Sequence, residues 1–269
     1  MNKTFLINLE SRSDRLERMS LIFSEIGIEF EVFPAIDGKK LVSENSVYRL
    51  IDGTLIYDPE HSIKQGYRPM SAAEIGCYLS HLELWKKVAE QDTGSALIFE
   101  DDLNIDASIS SIINHIPDVK KGWDYIKLSA LGKVPFIKLF PLTQNHSLSL
   151  LLRGSTGMQA YYISPLGAQK LIPKALPITL PVDVFIDHFW HTGINTLAVI
   201  PYPVEANKHI QSSIESERLP ISDGHKKIRS SLRVRCVKKY RKESNAAIKK
   251  LYFLIYAVKS ISIRYRLKP

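Results

Sequence analysis

The 269-residue chain is 45% hydrophobic and 24% charged, which excludes wholesale disorder, collagen-like repeats and low-complexity architecture. Its two cysteines, Cys77 and Cys236, exclude a disulfide scaffold or a four-cysteine zinc site and suit a reducing compartment. The net charge of +8 is uneven: residues 226–269 hold 15 of the 36 Lys and Arg and one acid, Glu243, so a mildly acidic body over 1–225 carries a strongly basic tail.

The apolar run from Phe5 to Leu9 meets Glu10, Arg12, Asp14 and Arg15 at once, too soon for a signal-peptide core. No stretch reaches the ~20 apolar residues of a spanning helix. The expectation is a protein working on the cytoplasmic side.

Phe5 to Leu9 reads as a buried strand. Ser11 or Ser13 can cap a helix in which Leu16, Met19, Ile22 or Phe23, and Ile26 recur at helical spacing, with Gly27 ending it. Ile28, Phe30 and Val32 then alternate with Glu29 and Glu31 as a second strand stopped by Pro34. A β-α-β opening favours a parallel sheet with ligands at the carboxyl ends of its strands, where Asn8, Arg12 and Arg15, and Ala35, Asp37 and Gly38, fall.

Residues 39–70 read as a long polar loop or lid. Ser71-Ala72-Ala73-Glu74 is a capping box opening a helix to about Gln91, with Ile75, Leu79, Leu82 and Val88 or Ala89 on the buried face. Ser95 to Phe99 is a strand running straight into Glu100-Asp101-Asp102. Trp123 to Leu128 and Tyr161 to Ile163 read as strands, the latter followed by a helix with Ser164 as cap and Pro165 first. Residues 129–155 read as a loop, and Thr196 to Ile200, ended by Pro201, as the last strand. Such alternation indicates an α/β fold.

Three consecutive carboxylates repel one another unless a cation or solvent compensates. Oxygen-only ligands favour Mg²⁺ or Mn²⁺, which bridge carboxylates to diphosphates; the alternative for Glu100-Asp101-Asp102 is a solvated acidic turn. Asp183 and Asp187 share a face if their segment is helical and could position or deprotonate a hydroxyl; equally, Asp183 could cap a helix beginning after Pro181. Cys77, His81 and Trp85 share a helical face, but nothing in the sequence supplies the other members of a metal site or thiol–imidazole pair, so a packed helix surface is expected. The capping box accounts for Glu74. No Gly-rich phosphate loop, Walker motif or serine-nucleophile elbow occurs.

Ile7 to Arg15 (INLESRSDR) with Ala35 to Gly38 (AIDG), Ser71 to Trp85 (SAAEIGCYLSHLELW) with Leu97 to Asp102 (LIFEDD), and Thr156 to Leu171 (TGMQAYYISPLGAQKL) with Pro181-Val182-Asp183 form three ordered blocks. Together they resemble glycosyltransferase family 25, which includes bacterial lipooligosaccharide galactosyltransferases and collagen galactosyltransferases. The likeness spans about residues 3–190; Ala73 departs from the glycine common before the glutamate.

The resemblance implies a GT-A-like α/β domain over 1–225, with a mostly parallel central sheet, transferring a hexose from a UDP-sugar with inversion to a β-linkage. UDP-galactose is the implied donor, UDP-glucose the alternative, and a sugar of lipooligosaccharide the acceptor. Glu100, Asp101 and Asp102 would hold Mn²⁺, or Mg²⁺, against the diphosphate, with His209 as a further ligand late in the domain. Asn8, Leu9, Arg12, Arg15, Ala35, Asp37 and Gly38 would line the nucleotide pocket, and Glu74, Ser80, His81, Thr156 and Gly157 the rest of the substrate site. Asp183 would be the base, with Asp187 in reserve.

The tail lies beyond the likeness. Ala246 to Lys259 is apolar with flanking lysines and suits an interfacial helix; anionic lipids attract nearby bases at ~1 kcal/mol each. The expectation for 226–269 is a basic, helical, membrane-associating tail that docks the enzyme on the inner face of a bacterial inner membrane. A metal-dependent nuclease or nucleic-acid-binding protein is the competing class, and a catalytically silent scaffold a third. A nucleic-acid partner is not expected, because the body is net acidic and its carboxylate cluster stands alone.

Overall fold

A computed structural model of the chain describes residues 3–90, 94–116, 119, 122–207, 210 and 251. The expected tail helix therefore lies outside the described residues, apart from Leu251. The chain opens with β1 (Lys3–Asn8), α1 (Ser13–Glu25) and β2 (Glu31–Pro34). β3 (Ser43–Glu44), β4 (Val47–Arg49), β5 (Leu55–Tyr57) and α2 (Pro59–Lys64) precede the long α3 (Ala72–Ala89). Then come β6 (Ala96–Phe99), β7 (Leu103–Ile105), α4 (Ile109–His115), β8 (Tyr125–Lys127), β9 (Phe136–Pro141), β10 (Ser147–Leu151) and β11 (Ala160–Ile163). α5 (Pro165–Leu171), α6 (Val182–Asp187), α7 (Phe189–Thr192), β12 (Thr196–Ile200) and β13 (Val204–Ala206) complete it.

Eight strands form one sheet in the order β2-β1-β6-β11-β8-β12-β10-β9. β1 is parallel to β2 and β6, and β8 to β12, whereas β11 and β10 are antiparallel to their neighbours, so these two alone run against the common direction. Six of the eight strands share one direction, so the sheet is mixed with a mostly parallel sense, as expected, although four of its seven ladders are antiparallel. Both faces are covered, which is why its central strands are continuous apolar runs. Successive residues of each strand feed opposite cores: Phe5, Ile98 and Tyr161 pack with Ile75, Leu82 and Trp85 of α3, while Leu6, Leu97 and Tyr162 pack with Met19 and Phe23 of α1 and Ile109 and Ile112 of α4.

The capping box of α3 is complete: Glu74 N–H donates to Ser71 Oγ at 3.2 Å and Ser71 N–H to Glu74 Oε2 at 3.0 Å. Ile75, Leu79, Leu82 and Val88 are buried, but so are Gly76, Ser80 and His81, because the loop after β2 lies directly on the helix. A Cβ on Gly38 would stand 1.7 Å from Ala72 O, and one on Gly76 2.5 Å from Gly38 N, so backbone meets backbone and only glycine fits. Ser80 Oγ accepts from Ile36 N–H and donates to Gly76 O, both at 2.8 Å, fastening that loop.

Several expectations are corrected. α1 is capped by neither serine; Arg12 is its N-cap and makes no side-chain capping bond. Residues 39–70 are not one irregular lid, since they fold into β3, β4, β5 and α2. Residues 129–155 contain the hairpin β9–β10, which forms the sheet's edge. β12 is not the last strand: β13 follows and pairs with β7.

Candidate active site

Strand register gathers the site. β1 and β6 run side by side, Leu6 opposite Phe99, so Asn8 and Leu9 emerge next to Glu100-Asp101-Asp102. β11 runs the other way, Ala160 opposite Phe99, and Glu100 N–H donates to Gln159 O at 2.8 Å, bringing Gly157, Met158 and Gln159 to the same end. From the far side, Asn207 N–H donates to Asp102 O at 2.8 Å. These elements enclose a cavity of about 740 Å³. Leu9, Arg12, Arg15, Ala35, Asp37, Gly38, Glu74, Ser80, His81, Glu100, Asp101, Asp102, Gly157 and Asp183, all named above as candidate site residues, line it together.

The three acidic residues differ in their surroundings. Asp101 is buried; Arg15 Nη1 donates to its Oδ1 and Asn8 Nδ2 to its Oδ2, each at 2.8 Å. Burial raises the Asp101 carboxyl, opposed by Arg15 and Asn8. Asp102 is pushed up to about 6, first by burial and then by repulsion from Glu100 and Asp101, with Arg15 pulling the other way from 3.9 Å. A carboxylate whose ionised form is disfavoured by burial and by neighbouring negative charge is stabilised by a cation in the proton's place. The oxygen-only donors of Asp102 and Glu100 therefore fit a hard divalent cation. His209, the expected late ligand, lies outside the described residues.

The two arginines expected to line the nucleotide pocket are already engaged. Arg12 forks onto Asp14 at 3.0 and 2.9 Å, which holds the Asp14 carboxyl down at about 2. Arg15 is turned onto Asp101. Asn8 supports Asp101 rather than lining the cavity, and Asp37 caps the turn Gly38–Lys40 by accepting from Lys39 N–H. Glu74 is committed to its capping box and to Arg68, which donates to both of its oxygens at 2.8 and 2.7 Å.

Asp183 and Asp187 lie in one short helix but face different neighbours. Asp183 accepts from Gly157 N–H at 3.0 Å and from Val184 N–H at 2.8 Å. It is a first-turn residue, the N-cap being Pro181, and it lines both the main cavity and a second one of about 290 Å³ bounded also by Tyr67, Arg68, Leu131 and Thr156. Asp187 is buried in an ion pair with Lys127 at 3.0 Å, and its other oxygen takes Thr156 N–H at 2.6 Å. It lines neither cavity and instead fixes the turn in which Thr156 (φ 45) and Gly157 (φ 75) are left-handed.

Sequence reasoning missed Lys127, because a lysine closing a strand gives no sign that its amine is sealed beneath the turn. It also missed the partner of Cys77 and His81. His81 Nε2 lies 3.3 Å from Glu100 Oε1, and the Cys77 thiol reaches the same oxygen at 3.9 Å. Burial first and Glu100 next push the Cys77 thiol up.

Residues 1–186 match the family profile described as "Glycosyltransferase family 25 (LPS biosynthesis protein)". Among curated proteins, the chain is 32% identical over 188 residues to a "Glycosyltransferase 25 family member" of Drosophila melanogaster, covering 69% of this chain and 30% of that protein. It is 36% identical over 192 residues to the family member of Drosophila pseudoobscura pseudoobscura (69% and 29%), and 32% identical over 195 residues to "Procollagen galactosyltransferase 1-A" of Xenopus laevis (69% and 30%). The chain thus spans about three tenths of the length of the curated relatives it matches. Among the described residues no helix is long and apolar enough to cross a membrane.

Proposed function

Because the chain belongs to glycosyltransferase family 25, we propose that it transfers a hexose, galactose in the first instance, from a UDP-sugar to a saccharide hydroxyl with inversion. The observation that carries this reading is that Asp102 and Asp183 face one cavity, and that Asp183 also borders the smaller cavity beside it. On this reading the larger cavity takes the donor, the smaller one takes the acceptor sugar, and Asp183, which lines both, is the base.

In this scheme the acceptor oxygen attacks the anomeric carbon from the side opposite the diphosphate. Asp183 takes the hydroxyl proton as the carbon–oxygen bond forms and the bond to the diphosphate breaks. Its carboxylate is held for this by the N–H groups of Gly157 and Val184. Asp102 and Glu100 would hold Mn²⁺ or Mg²⁺, which supplies charge neutralisation of the departing UDP. Arg15 and Asn8 keep Asp101 fixed beside them. Asp183→Asn is expected to lower transfer by about 10²–10⁴-fold while leaving the rise in melting temperature caused by UDP plus Mn²⁺ intact. Transfer at the wild-type rate would remove Asp183 from this role.

We further propose a lipooligosaccharide sugar as acceptor, in keeping with the lipopolysaccharide named in the family description. Docking would use the 15 Lys and Arg of residues 226–269 on the inner face of a bacterial inner membrane. The chain should then co-sediment with anionic vesicles at low salt and release as salt rises. Equal binding to neutral vesicles would refute electrostatic docking.

A further inference from the structure

Beside the acidic triad, the cavity wall carries a donor set of different chemistry. Cys77 and His81 stand one turn apart on α3, and Glu100 comes up against them where β6 ends. One ligand atom from each lies within 4.8 Å of the others. Glu100 Oε1 is 3.9 Å from Cys77 Sγ and 3.3 Å from His81 Nε2. In a tetrahedral zinc site, bond lengths of about 2.3 Å to sulfur and 2.0–2.2 Å to nitrogen and oxygen give sulfur–oxygen and nitrogen–oxygen edges of about 3.6 and 3.4 Å. The two edges at Glu100 match these to about 0.3 Å, and the third, from Cys77 Sγ to the His81 ring, lies within 4.8 Å.

The histidine is also oriented as a ligand. Its Nδ1 lies 2.9 Å from Tyr161 Oη, which accepts from Trp85 Nε1–H at 3.0 Å, so the ring is held with Nε2 towards Glu100. Holding the second ring nitrogen in this way fixes the geometry of metal-bound histidines. Cys77, His81 and Glu100 all border the cavity, which leaves room for a fourth ligand from solvent. A thiolate and an imidazole select zinc or cobalt over magnesium or manganese.

We propose that Cys77, His81 and Glu100 form a soft-metal site that takes Zn²⁺ with its fourth position open to the cavity. Binding releases the thiol proton to solvent and turns His81 to its Nδ1–H tautomer, which donates to Tyr161. On the function proposed above, Glu100 is shared with the hard-cation site, so zinc opposes Mn²⁺-supported turnover.

The test titrates the metal-free full-length chain with Co²⁺ as the spectroscopic stand-in for zinc. One equivalent is expected to give tetrahedral cobalt absorption with a thiolate-to-cobalt charge-transfer band, and Zn²⁺ to abolish both. The band is expected to vanish in Cys77→Ser and to need at least about tenfold more Co²⁺ in Glu100→Gln. Cys236→Ser leaves Cys77 as the sole thiol, so a band in that variant identifies Cys77 whether or not Cys77→Ser folds. No charge-transfer band in the wild type, a band lost in folded Cys236→Ser, or a band surviving in Cys77→Ser would overturn the site. The readout uses neither donor nor acceptor, so its failure leaves the transferase reading standing, and failure of UDP release leaves the metal site standing.

Discussion

Asp102→Asn is expected to lower donor turnover by about 10³-fold and, in the metal-free protein at neutral pH, to raise the melting temperature. The loss of turnover follows from removing a carboxylate that anchors the cation at the departing diphosphate, a contribution of several kcal/mol to the transition state. The gain in stability follows from burial first, and from repulsion by Glu100 and Asp101 next, which both disfavour the ionised Asp102. An aspartate in the unfolded chain ionises near its ordinary 3.8, whereas Asp102 in the folded chain holds its proton to about 6. Between those values the folded state binds more protons than the unfolded state, so stability falls as pH rises through the window. The ionised carboxylate costs the folded chain up to about 3 kcal/mol, and asparagine removes that cost. Urea melts of both proteins from about pH 4 to pH 7 should show the variant gaining on the wild type with pH, and Mn²⁺ raising the stability of the wild type only. A pH-independent difference would mean that burial and repulsion do not raise the Asp102 carboxyl as assigned.

Lys127→Met is expected to be among the most destabilising single substitutions in the chain. The Lys127 side chain is fully buried and that of Asp187 is 7% exposed, so removing the amine strands a carboxylate in the interior at a cost of about 3–5 kcal/mol. The damage reaches the site, because Asp187 accepts the Thr156 N–H and the next residue, Gly157, holds Asp183. Adding Asp187→Asn to Lys127→Met removes the stranded charge, so the double variant should recover part of the stability lost by the single one. Denaturation midpoints for both single variants and the double complete the cycle. Losses that simply add would show the pair to be uncoupled.

The elements legible in the sequence were those with a local signature. The capping box at Ser71–Glu74 and the Ser164–Pro165 helix start each satisfy backbone groups within a few residues, and the apolar run ending in Glu100-Asp101-Asp102 is marked by its composition. The hairpin β9–β10 carried no such mark. Phe136 and Ile137 are both exposed on the sheet's outer edge, so the period-two alternation of a half-buried strand is absent. β3, β4 and β5 are two or three residues long, too short to show a period. The site divides in the same way. Glu100, Asp101 and Asp102 stand out by composition and position, and Asp183 through the family resemblance, whereas the joining of Glu100 to Cys77 and His81, and of Lys127 to Asp187, depends on strand order across the sheet. For the same reason Asp187 looked like a second candidate base, since only the fold reveals the buried amine that occupies it.

UDP release from UDP-galactose, measured on the full chain with and without Mn²⁺ and without any acceptor, distinguishes a transferase from the alternatives. Slow release that requires Mn²⁺ and is lost in Asp102→Ala is the expected result. No release under any condition, together with no rise in melting temperature on adding UDP plus Mn²⁺, would contradict it.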